Sequence, residues 1–149
     1  MLGRFPYSKL SKYPHLRPED VLIWERFIEL YPSFFERVDY DVRCGEGRTY
    51  PPVNDENILN DLQGLSKLRI DVIGFHGNEA WVIEIKPRAG ASAIGQAMCY
   101  ANLYKEMCES DTNITKCVIT DEAVPDIARI AASFNVKYIA LNEFEKYAT

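Results

Sequence analysis

Asp71, Glu84 and Lys86 are the residues of this chain whose types and spacing best suit chemistry. They lie in RIDVIGFHGNEAWVIEIKPR, residues 69–88, where two β-type runs flank Gly77-Asn78. A two-residue turn there pairs 76 with 79 and 75 with 80; continued, it sets Asp71 opposite Glu84. Cross-strand partners share a face at about 5 Å. Strand alternation adds Lys86 to that face. Facing carboxylates repel, and both ionise cheaply only with a cation between them. Oxygen ligands of this kind suit Mg²⁺ or Mn²⁺, completed by water and phosphate oxygens. A neighbouring lysine can orient a water and stabilise charge developing on phosphate. The trio therefore points to metal-assisted phosphodiester hydrolysis. The competing reading is an exposed hairpin with an ordinary Asp–Lys or Glu–Lys ion pair, which suits a pattern so short. The apolar flanks VIGF and WVIEI fit that reading poorly.

The surrounding elements must place these groups. Residues 1–17 are basic and proline-punctuated and read as an extended arm, leaving 18–149 as one domain. A helix opens at Pro18, with Glu19 and Asp20 at the positive end of its dipole, and Pro32 stops it. Its expected buried stripe is Val21, Trp24, Ile28 and Tyr31. Residues 34–44 alternate as a strand, with Phe35, Val38, Tyr40 and Val42 in step. An irregular Gly-, Pro- and Asn-containing stretch follows, carrying Arg48 and Tyr50. Beyond the hairpin, 91–108 reads as a helix, 115–121 as a strand, 124–135 as a helix and 137–141 as a last strand. The order α-β-β-β-α-β-α-β predicts an α/β fold: a meander extended by parallel strands into one mixed central sheet flanked by helices.

Asp71 followed by Glu84-Ile85-Lys86, between an upstream and a downstream helix, resembles the PD-(D/E)XK nuclease superfamily. Gln96 and Tyr100 in the following helix match the QxxxY signature of its RecB-like branch, and their i,i+4 spacing lets both face one site. The resemblance in element order runs from Pro18 to Leu141, and in size it suits a compact stand-alone member. It implies a restriction-endonuclease-like core and a Mg²⁺- or Mn²⁺-dependent deoxyribonuclease. By position, Asp71, Glu84 and the Ile85 carbonyl would ligate metal, Lys86 would place the attacking water, and Gln96 would orient water or substrate. Tyr100 would line the nucleic-acid path. A helix glutamate completes many family sites; Glu25, bordering the stripe, is the choice and Glu29 the reserve, with a solvated Glu25 weighed equally. Ile70 stands where the family often has proline, and no histidine precedes Glu25 within the helix.

Composition limits partners. The 149 residues carry a net charge of −5, so nucleic acid must be met by a local basic patch. Lys67, Arg69, Lys86 and Arg88 supply one at the end of the hairpin away from its turn, and the expected partner is single-stranded, duplex or branched DNA. The charges and aromatics of the arm read more naturally as solvated groups and packing. Cys44, Cys99, Cys108 and Cys117 have no tight metal spacing, so an iron–sulfur cluster is not expected and reduced core cysteines are. No segment reads as a signal peptide or membrane span, giving an intracellular protein as the expectation; within the family it resembles, archaeal junction resolvases and small viral and plasmid nucleases fit best in size. Dimerisation is suggested by analogy alone. A nuclease fold used only for DNA binding or assembly is the alternative function.

Overall fold

A computed structural model describes residues 3–47, 55, 56, 58 and 68–142. Lys67, Arg48, Tyr50 and most of the irregular stretch lie outside the described residues. The elements are β1 (Phe5–Pro6), α1 (Pro18–Leu30), β2 (Arg37–Cys44), β3 (Leu68–His76), β4 (Glu79–Lys86), α2 (Ala91–Glu106), β5 (Asn113–Thr120), α3 (Pro125–Ala131) and β6 (Val136–Ala140). A 3₁₀ turn, Ala132–Phe134, joins α3 to β6. The strands form one six-stranded sheet in chain order. β1 to β4 run antiparallel, whereas β5 and β6 add parallel to β4 and to each other. This is the expected mixed α/β sheet with one short strand added at its edge.

The hairpin has the register that its turn chemistry dictates: Val72 faces Ile83, Ile73 faces Val82, and so on to His76 with Glu79. Gly77 takes φ +57° at the first turn position, where glycine meets no Cβ penalty. Alternation then sorts the β4 side chains. Trp81, Ile83 and Ile85 join Trp24 and Phe27 of α1, with Val72, Cys117 and Ile119 beside them. Ala80 and Val82 face the other way, with Ile73, Phe75, Ala101 and Tyr104. Helices thus cover both faces, so β4 is buried along most of its length. Each large side chain enclosed in these clusters contributes roughly 1.5–3 kcal/mol of transfer free energy.

Three local expectations need correction. The buried face of α1 is Asp20, Ile23, Trp24 and Phe27, while Val21, Ile28 and Tyr31 lie half-buried at its margin. The reason is the N-terminal arm, which is not a separate extension. Phe5, Tyr7, Leu10 and Leu16 pack against the same core, and Tyr13 is itself buried. By covering the flank of α1, the arm gives more than one stripe of that helix apolar contact. In β2, Val38 and Tyr40 are buried in step, but Asp41 takes φ +52° and Val42 packs toward the opposite cluster. A left-handed residue inside a strand resets the alternation. Finally, Cys44 and Cys117 are buried as expected, whereas Cys99 is exposed on α2.

Candidate metal centre

Asp71 and Glu84 stand where the central hairpin opens. The β3–β4 pairing ends at Val72 with Ile83, while β4 continues beside β5 through Glu84, Ile85 and Lys86. With the ladder ended, the Ile85 amide donates to Asp71 Oδ2 at 3.0 Å. The Asp71 carboxylate thus bridges the two strands where backbone pairing has ceased. Glu84 shares its side of β4 with Ala80 and Val82, the face covered by α2. Its residue is 2% exposed, and Oε1 has no hydrogen-bond partner. A buried carboxylate oxygen without a donor is costly unless it is protonated or meets a cation.

The electrostatics follow from this geometry. Burial, and then the negative charge of Asp71, push the Glu84 carboxyl well above the ordinary range, against the pull of Lys86. Asp71 is raised too, first by burial; the Ile85 amide and Lys86 oppose the shift, and Asp20 and Asp41 add to it. Each carboxyl has a backbone amide opposing its rise, that of Ile85 for Asp71 and that of Asp71 for Glu84, and Glu84 is the more strongly raised because the negative charge of Asp71 adds to its burial. Two acids held in this way share protons until a compensating cation arrives.

The other expected residues separate into groups. Lys86 is half-buried at the end of β4 and acts electrostatically on Asp71, Glu84 and Asp20 alike. Gln96 and Tyr100 lie one turn apart on α2, and the Tyr100 phenol is raised by burial first and then by the negative charge of Glu84, with Gln96 opposing the shift. Gln96 Oε1 and Asp41 Oδ1 are likewise buried oxygens without a hydrogen-bond partner. Ile85 contributes its amide to Asp71 and is fully buried. Arg88 is exposed just beyond β4. Arg69 is engaged, with Nε 3.4 Å from Asp41 Oδ1 and Nη1 2.9 Å from His15 Nε2.

Glu25 lies elsewhere. Its Oε2 accepts from the Tyr13 hydroxyl at 2.8 Å, which ties the arm to α1, and Glu29 pairs with Lys9 of the arm. The acid that α1 does bring to the centre is Asp20, 8% exposed and raised mainly by burial, with Lys86 drawing it back down. In sequence, an acidic residue in a first turn reads as a dipole partner. The available signal was its spacing: 20, 23, 24 and 27 form one face.

The donor set can be tested against a hard divalent cation. Asp71 and Glu84 are oxygen donors, one with an orphaned buried oxygen, and Mg²⁺ or Mn²⁺ needs only one or two carboxylates beside water and substrate. Among the described residues, no group of three or more His, Cys, Asp or Glu is placed to enclose a metal, so a closed all-protein cage is not present. The pair fits an open, substrate-completed site.

No protein-family model, no curated protein and no solved structure matches this chain.

Proposed function

We propose that this chain is a Mg²⁺- or Mn²⁺-dependent nuclease that hydrolyses DNA phosphodiester bonds, as an exonuclease or a structure-dependent endonuclease. The observation that carries the reading is the buried Glu84 carboxylate, its Oε1 unpartnered, beside Asp71 and Lys86. The order Asp71, Glu84-Ile85-Lys86, Gln96 and Tyr100 resembles the motifs of the PD-(D/E)XK nucleases. Asp71 and Glu84, with the Ile85 carbonyl, would hold the metal. Bound there, a divalent ion would polarise a phosphoryl oxygen and make water a competent nucleophile near neutral pH. Lys86 Nζ would orient the attacking water and counter charge on the phosphate, with Asp20 holding that ammonium toward the site. Gln96 would position substrate or water through its free Oε1, and Tyr100 would offer an aromatic edge to the strand. Arg88 and Lys67 would contact flanking phosphates. The resemblance extends to intracellular action on DNA and to 5′-phosphate products.

A second reading, a nuclease-like fold serving as a DNA-binding or assembly module, is favoured by one observation: among the described residues, no group of three or more His, Cys, Asp or Glu is placed to hold a metal. Cleavage separates the two. Labelled single-stranded, duplex and branched DNA are incubated with Mg²⁺ or Mn²⁺, beside a Glu84→Ala control. Metal-dependent cleavage that the variant lacks supports the nuclease, and the ranking of substrates narrows its role. No cleavage, with DNA binding equal in both proteins, supports the binding module.

A further inference from the structure

The flank of Asp71 opposite Glu84 carries an arrangement that the nuclease reading leaves unexplained. β2 and β3 pair Tyr40 with Val72 and Val42 with Ile70, yet the intervening residues, Asp41 and Asp71, do not pair. Asp41 stands at that interruption with a φ of +52°, while β2 runs on to Cys44 and its pairing resumes in the same register. Asp71 is therefore released from ladder pairing on both edges, toward β2 and toward β4. A cavity of about 140 Å³ opens beside it, lined by His15, Asp41, Arg69 and Asp71 among others.

Asp41 does not stand there alone. Arg69 Nε lies 3.4 Å from its Oδ1 and His15 Nε2 3.7 Å from its Oδ2. Arg69 Nη1 also lies 2.9 Å and 3.0 Å from the two ring nitrogens of His15. His15 has φ +57°, a second left-handed residue at the same cluster. It is delivered by the arm: Tyr13, two residues earlier, is buried, donates to Glu25, accepts the Leu10 amide at 2.9 Å and sets its ring against Tyr40. Backbone residues in sparsely populated conformations persist where their surroundings over-determine them, and they concentrate at working sites.

We propose that Asp41, Arg69 and His15 are positioning residues: the Arg69–Asp41 ion pair, with His15 set against both, holds Asp41 left-handed, interrupts the β2–β3 pairing at Asp71, and so places the Asp71 carboxylate to bridge to the Ile85 amide at the candidate centre. The assignment rests on the nuclease reading for its purpose but not for its geometry. Asp41→Asn keeps a side chain that tolerates positive φ, whereas Asp41→Val is β-branched and does not. Arg69→Gln removes the guanidinium and leaves the strand residue unchanged.

The test is amide hydrogen exchange at Ile85, normalised to Ile119, its buried neighbour across β5. Loss of the Asp71 acceptor raises the Ile85-to-Ile119 ratio roughly tenfold in Asp41→Val, and likewise in Arg69→Gln and Asp41→Asn, each of which breaks the ion pair; Arg69→Lys, which keeps the charge, leaves it within about twofold. General destabilisation moves both amides together and leaves the ratio alone. An unchanged ratio in Arg69→Gln overturns the proposal, even where Asp41→Val does not fold. The nuclease reading is judged separately, by cleavage with the wild-type chain. Where that chain cleaves, the same variants that raise the ratio lower kcat with KM little changed, and Arg69→Lys retains kcat.

Discussion

Glu84 concentrates the physical tension of this molecule. A carboxylate that is 2% exposed, with one oxygen unpartnered and Asp71 beside it, binds its proton more tightly in the folded chain than in the unfolded one. The same holds for Asp71. Such groups favour folding below the ordinary carboxylate range, and that contribution is lost as pH rises through their raised folded values. Metal-free protein is therefore expected to melt at progressively lower temperature between about pH 5 and pH 9, and Mn²⁺ to restore more at the alkaline end, where both acids are ionised. A melting temperature that rises over that range without metal contradicts the burial argument. Glu84→Gln removes the buried charge, and by chemical denaturation at alkaline pH it should be equal in stability to wild type or more stable by about 1–2 kcal/mol. Lys86→Met should lower kcat about 10²- to 10³-fold if its ammonium acts on the transition state, with little effect on folding. Asp20→Asn should cost more activity than Glu25→Gln, because α1 turns Asp20 toward Lys86 and Glu25 toward Tyr13.

At the scale of elements, close packing between β3 and the segment preceding β2 offers a clean test. A Cβ at Gly74 would fall 2.6 Å from the buried ring of Phe35, so Gly74→Ala must displace an aromatic in contact with Trp24 and Trp81. The expected loss is about 1–3 kcal/mol by denaturant unfolding; an unchanged midpoint would mean that the ring moves freely. The central hairpin was legible because a two-residue turn sets register by itself, and the observed pairs follow it from His76 back to Val72. What lay beyond local rules was the end of that ladder, since nothing in turn chemistry says where strands part. The α1 stripe was read from an apolar pattern that two neighbours share: the sheet takes Ile23, Trp24 and Phe27, and the arm adds contacts at the margins. Asp20 was hidden for a related reason, being a charged residue on a buried face, and only tertiary placement distinguishes it from a solvated first-turn acid. Asp41 was legible as a strand residue but not as a left-handed one, because ion pairing with Arg69 and His15 depends on contacts far apart in sequence.

For the whole molecule, charge sets the terms of any encounter with DNA. The chain carries −5, Arg69 is paired with Asp41, and Lys86 faces three acids, so two of the cations expected to grip phosphate are already engaged. Binding through about two phosphate contacts should weaken roughly tenfold between 50 and 200 mM salt, and divalent ions should strengthen it by neutralising Asp71 and Glu84. Fluorescence anisotropy with labelled DNA reads both effects; a steep salt slope would contradict binding through so few phosphate contacts. Among those residues, no helix is long and apolar enough to cross a membrane. The six strands, with β4 enclosed between α1 and α2, make a rigid frame that delivers two acids and one amine to the open end of a hairpin. The central claim is that this end is a divalent-cation site, and calorimetric titration of Mn²⁺ into wild-type chain and the Asp71→Asn/Glu84→Gln variant at mildly alkaline pH tests it most directly. Binding of one ion or two by the wild type, with none by an equally folded variant, is the expected result; no heat of binding in the wild type, or equal binding in both, would contradict it.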